Sequence, residues 1–160
     1  MGLDQRIIEV RNRTNRKKIM KSDLWKKYTN QDNQISIDGG MTMYISSINP
    51  EMSPIINDDI KKMNKDGLFI FKTYRKYNQL QGWFEKNYNI QNSENIRLTE
   101  HNINKLINDI KSDNLPLCQG FLYGDSKMSK EQELDLINDL EIIKDKIVNK
   151  GKFYLYTCWY

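Results

Sequence analysis

The spacing of apolar residues along the chain predicts three helices. The first is expected over residues 73–88, where aromatic and aliphatic residues recur every three or four positions. The second is expected over about 100–112 behind Thr99, a suitable N-cap, and the third over about 130–149 behind the capping-box spacing Ser129–Gln132. The core stripe of the first helix consists of Tyr77, Leu80, Phe84 and Tyr88.

Strand signals lie near both ends of the chain. Residues 3–10 are rich in β-branched side chains, residues 120–124 form a short apolar run between two glycines, and residues 153–159 read as a final strand. Strands at both ends with helices between them predict that the ends pair in one sheet. We therefore expect an α+β fold in one domain over 1–160: a small antiparallel sheet, packed by about three helices, with 11–65 as a variable, insertion-like region.

Composition narrows the function classes. No apolar run approaches the roughly 18 residues of a membrane span, so a spanning protein is not expected. Cys118 and Cys158 are too few for a disulfide framework or a four-cysteine zinc site, and His101 is the only histidine. The sequence predicts no metal, no cofactor and no catalytic triad.

Charge is unevenly distributed along the chain. The formal net charge is +4, but the segment between Arg6 and Lys27 holds nine basic and two acidic residues, a net charge of +7 that leaves −3 for the rest. Such a segment attracts phosphate-bearing partners. A solvated surface loop explains the same pattern, and the sequence leaves both open. The candidate anion-binding residues are Arg11, Arg13, Arg16 and Lys17.

Polar and aromatic residues on the first predicted helix and around the 120–124 strand form the most site-like set. Arginine offers a planar fork for phosphate, amides can read a base or a ribose hydroxyl, and aromatic rings can stack on a base. The set holds no strong acid, base or nucleophile, which favours binding over catalysis; ordinary packing is the alternative. Its members are Tyr74, Arg75, Asn78, Gln81, Trp83, Gln119, Gly120, Tyr123 and Gly124.

Several motifs resemble a family of small bacteriophage accessory proteins, some of which carry a phosphoglycerate kinase label that this sequence gives no reason to accept. The chain opens Met1-Gly2-Leu3-Asp4, as that family does. Residues 74–84 are similar to its segment Trp-Arg-Lys-Ala-Asn-Gln-Ile-His-x-Trp-Phe, with Gln81 at the histidine position. Residues 115–124 are similar to Leu-Pro-Thr-Gln-Ser-Gly-Phe-Phe-Phe-Gly, with Cys118 at the position of the glutamine before Ser-Gly. Thr157-Cys158-Trp159 resembles its closing Ser-Ser-Trp.

The resemblance implies a phage accessory protein of the host cytoplasm that counters host defence. The scarcity of catalytic groups favours a protein that sequesters a nucleotide immune signal, such as a cyclic nucleotide or an ADP-ribose derivative, without cleaving it. Enclosing such a ligand favours a homo-oligomer, since a small chain can surround it at a subunit boundary. One alternative is an inhibitor that binds a host defence protein directly. A weaker one is a nucleotide-cleaving enzyme that depends on Asp58 or His101.

Overall fold

The strands pair into one antiparallel sheet that includes both ends of the chain. The computed structural model describes residues 3–11, 16, 67–90, 95–116 and 127–159. The four strands of the sheet are β1 (Asp4–Val10), β2 (Leu68–Arg75), β3 (Asn95–Leu98) and β4 (Tyr154–Trp159), in the spatial order β2-β1-β4-β3. The two terminal strands β1 and β4 are therefore central, and every pairing is antiparallel.

Three helices of the described part of the chain pack against one side of this sheet. They are α1 (Asn78–Tyr88), α2 (Glu100–Lys111) and α3 (Lys130–Lys150). Thr99 and Ser129 each accept a hydrogen bond from the third helical backbone N–H in a complete capping box, and Gly151 ends α3 in the left-handed conformation. Local sequence thus sets the limits of α2 and α3 as predicted.

The core lies between the helices and one side of the sheet, which we call the helix face. Alternate strand residues, including Ile7, Tyr154 and Tyr156, point into it and join the apolar stripes of all three helices. The ring of Phe84 on α1 stacks on Tyr156 with the centroids 3.8 Å apart. The α+β prediction, with N- and C-terminal strands in one sheet, is confirmed.

The first predicted helix is wrong at its start. Residues 73–75 belong to β2, because Thr73 and Tyr74 pair with Arg6 and Gln5 of β1. The backbone then turns through Lys76 at φ 58° and α1 begins only at Asn78. A pairing partner so distant in sequence overrides helical spacing, and a left-handed residue interrupts a helix.

The structure differs from the prediction at two further strands. The apolar run at 68–71 is the first half of β2, and β3 at Asn95–Leu98 has no counterpart among the predicted strands. The predicted strand 120–124 and most of the region 11–65 lie outside the described residues, so that strand and the single-domain assignment stay predictions. No helix of the described ranges combines the length and apolar character that crossing a membrane requires.

A buried tyrosine gives the fold a predicted response to alkaline pH. Burial, with a contribution from Glu9, raises the pKa of Tyr154 to about 12. Because the unfolded side chain ionises near pH 10, stability should be intact below that pH and fall until about pH 12, by at most roughly 2–3 kcal/mol. Chemical denaturation at several pH values measures this fall.

The Tyr154→Phe variant is the control for this titration. The Tyr154 hydroxyl has no hydrogen-bond partner among the described residues, so its removal should cost little near neutral pH. The variant should lose less stability than the unmodified protein between pH 10 and 12. Identical pH profiles for the two proteins would contradict the assignment.

Candidate functional site

Most of the predicted ligand-binding residues that the structure describes are in the interior. Tyr74, Asn78, Gln81 and Trp83 are all buried. The Tyr74 hydroxyl donates to Oδ2 of Asp139 over 2.8 Å, and burial together with that carboxylate raises the pKa of Tyr74. These side chains therefore help to hold the strands and helices together.

A chain of buried hydrogen bonds accounts for Gln81. The amide of Gln5 donates to the hydroxyl of Tyr156, at 2.9 Å, and this hydroxyl donates to Oε1 of Gln81, at 2.6 Å. Nε2 of Gln81 in turn donates to Glu85, at 3.1 Å. Gln81 thus links β4 to the surface of α1, which explains why a hydrogen-bonding side chain occupies a core position.

The remaining predicted residues divide into two groups. Arg75 is the exposed member of the ligand-binding set among the described residues. Arg11 is held by Glu9 on the helix face through two hydrogen bonds, of 3.0 and 3.2 Å, and lies 3.9 Å from the centre of the Phe69 ring. Outside the described residues lie Gln119, Gly120, Tyr123, Gly124, Arg13 and Lys17.

The side of the sheet opposite the helix face gathers the arginines, and we call it the arginine face. Arg6 alternates with Gln5 and Ile7 on β1 and therefore points away from the core. Register places Arg75 beside Asp4 and Arg97 beside Leu155, on the same side as Arg6. The Nε of the fourth member, Arg16, donates to the Val10 carbonyl at 2.7 Å.

Two of these guanidinium groups meet at one aromatic ring. The Cζ atoms of Arg97 and Arg16 lie 4.3 and 5.9 Å from the centre of the Phe153 ring. Burial, and then the like charge of Arg16, lowers the pKa of Arg97. Bringing two cations together costs energy that a bound anion offsets, so the arrangement is typical of an anion-binding surface.

Positive charge dominates the described part of this face. Asp4 is the only carboxylate that the four described strands contribute to it, and its Oδ1 lies 3.9 Å from Nε of Arg75. The only other strand carboxylate, Glu9, lies on the helix face with Arg11 and Lys152. Phosphate-bearing ligands match such a surface, because arginine binds phosphate oxygens in a planar fork.

Sequence reasoning missed Arg6 and Arg97 as site residues. Arg6 belonged to the basic segment, but its place in β1 was not used. The signal was the alternation of Asp4, Arg6, Ile8 and Val10, which puts two charged residues on the same face of the strand as two apolar ones. Arg97 stands in Asn95–Leu98, four residues too short for periodicity to identify as a strand.

Two other groups of polar residues lie away from the arginine face, on α2 and between β2 and α3. His101 lies on the outer side of α2 in an open cleft of about 620 Å³, together with Asn104, Lys105, Asn108 and Asp109. Lys72 is placed 3.5 Å from both Asp135 and Asp139, an ion-pair cluster that ties β2 to α3. Within the described ranges, no three His, Cys, Asp or Glu side chains are grouped to hold a metal ion. Asp58 is outside these ranges.

Comparisons with known proteins do not assign this site. No family model, no curated protein and no solved structure matches the chain. The arginine face is therefore characterised by its own geometry and charge.

Proposed function

We propose that this protein binds and sequesters a nucleotide-type immune signal on its arginine face, as a phage accessory protein that counters host defence. The observation that carries the proposal is that Arg6, Arg16, Arg75 and Arg97 lie on one side of the sheet, where the described strands add a single carboxylate. The resemblance to phage accessory proteins supports the biological setting, the host cytoplasm.

The chemistry of the arginine face favours binding without cleavage. Guanidinium groups stay protonated near neutral pH, so they hold phosphates but do not serve as general bases. The ring of Phe153 adds an apolar group beside Arg16 and Arg97. The positive charge of the arginines would bind the phosphate of a nucleotide, and the aromatic ring would contact its base. Enclosure of the ligand would be completed at a subunit boundary, so we also propose a homo-oligomer, which light scattering measures.

The first experiment asks whether a nucleotide binds. Protein purified from cells is heat-denatured, and the supernatant is examined by ultraviolet absorbance and mass spectrometry for a released ligand. Cyclic dinucleotides and cyclic ADP-ribose isomers are then titrated calorimetrically. Binding followed by recovery of the unaltered ligand supports sequestration. If none of them binds, the proposal is wrong, and recovery of an altered ligand would make the protein an enzyme.

A matched pair of charge-removing variants tests the location. Arg75 lies near Asp4 and Arg11 near Glu9, with side chains exposed to 52% and 53%, but the two arginines are on opposite sides of the sheet. We expect Arg75→Gln to weaken nucleotide binding by roughly 10- to 100-fold, the value of one or two charge-assisted hydrogen bonds. Arg11→Gln should change the affinity less than about two-fold, since its charge is committed to Glu9. Equal losses in the two variants would contradict a site on the arginine face.

A second candidate function is direct inhibition of a host defence protein. The observation that favours it is the exposure of aliphatic side chains on α3, where Leu134 is 68% and Val148 51% exposed. Exposed aliphatic side chains can contact a partner protein. Leu134→Lys should then abolish capture of a single stoichiometric host protein, while Arg75→Gln should leave that capture unchanged. Nucleotide release from the purified protein would instead favour sequestration.

A further inference from the structure

A row of polar residues crosses the arginine face at the position of Arg6. Cross-strand pairing places Thr73 of β2 beside Arg6, Arg6 beside Thr157 of β4, and Thr157 beside Asn95 of β3. Because adjacent strands are about 4.8 Å apart, these four residues span roughly 15 Å across the whole sheet. Their neighbours Ile8 and Leu155, one step along the same face, are apolar and buried. The polar row thus interrupts a layer of buried apolar side chains.

Arg6 is the charged centre of this row, and its charge is poorly compensated. Its side chain is only 1% exposed, and its Nε has no hydrogen-bond partner among the described residues. Asp4 attracts it electrostatically, but the same carboxylate also lies beside Arg75. Burial lowers the pKa of Arg6, yet a guanidinium group remains charged near neutral pH. A buried cation of this kind is costly until an anion pairs with it.

The groups around Arg6 favour an acceptor-only ligand group. A guanidinium can only donate hydrogen bonds, and the hydroxyls of Thr73 and Thr157 can rotate to donate as well. Phosphate oxygens accept several such bonds at once, and their negative charge balances the positive charge of Arg6. A base or a sugar would leave the charge uncompensated. The row therefore matches one phosphate group.

Two more arginines stand on either side of this row at the next positions of the same face. Arg75 lies two residues beyond Thr73 on β2, and Arg97 lies two residues beyond Asn95 on β3, so both share the face with Arg6. One phosphate does not reach both sides of a four-stranded row. A second phosphate would bind Arg75, because its side chain is exposed.

We propose that Arg6, between Thr73 and Thr157, anchors one phosphate of the ligand and that Arg75 holds another, so that the protein selects nucleotides with at least two phosphates. This inference rests on the proposed function and narrows its ligand class. Cyclic dinucleotides and ADP-ribose derivatives belong to that class; nucleosides and nucleoside monophosphates do not.

Calorimetry with paired probes tests the number of phosphates. ADP-ribose and cyclic di-AMP are compared with AMP and cyclic AMP, which carry the same base and one phosphate. The two-phosphate probes should bind roughly 10- to 100-fold more tightly, since the second phosphate adds one or two charge-assisted hydrogen bonds. Equal affinity for one- and two-phosphate nucleotides would overturn the inference while leaving nucleotide sequestration intact.

Nitrogen-15 NMR of the wild-type protein tests the role of Arg6, and this test does not require an Arg6 variant to fold. The Arg6 Nε–H signal, in wild-type protein, should move when inorganic pyrophosphate or ADP-ribose is added, while the Arg11 Nε–H signal, fixed on Glu9, should not. A moving Arg11 signal with a stationary Arg6 signal would refute the anchor.

Two variants complete the test. Thr157→Val removes a donor at nearly constant volume, and Arg6→Lys keeps the charge but removes the fork; each should weaken ADP-ribose binding about 10-fold or more. Unchanged affinity in a folded Arg6→Lys variant would refute the inference. If pyrophosphate binds through Arg6 but no nucleotide binds, the phosphate anchor stands and nucleotide sequestration fails, so the two proposals are distinguishable.

Discussion

Replacing Trp83 by Ala is expected to lower the free energy of unfolding by about 3–5 kcal/mol, the usual cost of emptying a large aromatic site in a core. The indole is fully enclosed, and its ring centre lies 5.0 Å from that of Phe84 and 5.6 Å from that of Tyr88. Its Nε1 also donates to Oδ2 of Asp109 over 2.8 Å, a bond that joins α1 to α2. Urea denaturation of both proteins measures the difference.

The Trp83→Phe variant separates packing from ligand stacking. Phenylalanine keeps an aromatic ring but loses the bond to Asp109, so we expect a smaller destabilisation, of about 1–2 kcal/mol. Nucleotide affinity should be unchanged, because this ring lies on the helix face and the proposed ligand on the arginine face. A Trp83→Phe variant with normal stability and weakened nucleotide binding would contradict this interpretation and restore the stacking role that the sequence predicts.

Replacing Gln5 by Leu is expected to destabilise the fold by roughly 3–5 kcal/mol, because one buried and two partly buried polar groups lose a partner at once. Nε2 of Gln5 donates to the Tyr77 carbonyl, at 3.0 Å, and to the Tyr156 hydroxyl, at 2.9 Å. Its Oε1 accepts from the Tyr77 backbone N–H, also at 3.0 Å. A single amide therefore satisfies both backbone groups of the residue that precedes α1 and fixes that helix on β1.

Gln79→Leu is the matched control for this change. Gln79 is also a buried glutamine, but among the described residues it makes one hydrogen bond, in which Oε1 accepts from the Met128 backbone N–H at 2.9 Å. The same substitution there should cost about 1–3 kcal/mol. Urea denaturation measures the loss of stability in both variants. Equal losses at the two positions, or a loss of less than about 1 kcal/mol for Gln5→Leu, would show that the hydrogen bonds from Gln5 to Tyr77 do not stabilise the junction of β2 and α1.

The candidate site residues show how much of the proposed site can be predicted from local sequence. Arg75 and Arg16 are predicted from residue type alone, since arginine in a basic or motif-like context points to phosphate, and the structure places both on the arginine face. The amides of Asn78 and Gln81 have the same chemistry on the surface and in a core, so the sequence could not separate ligand contacts from internal hydrogen bonds. Only the pairing of distant strands revealed that Gln81 meets Tyr156.

By itself, the sequence determined the α+β class, the pairing of both chain ends in one sheet, and the limits of α2 and α3. These features depend on apolar periodicity and on caps, which act within a few residues. The tertiary structure alone decided that α1 begins at Asn78, that Tyr74 and Trp83 are buried, and that Arg6 and Arg97 share a face with Arg75. The physical reason is that strand register and burial are set by contacts between residues far apart in the chain, which no short window of sequence contains.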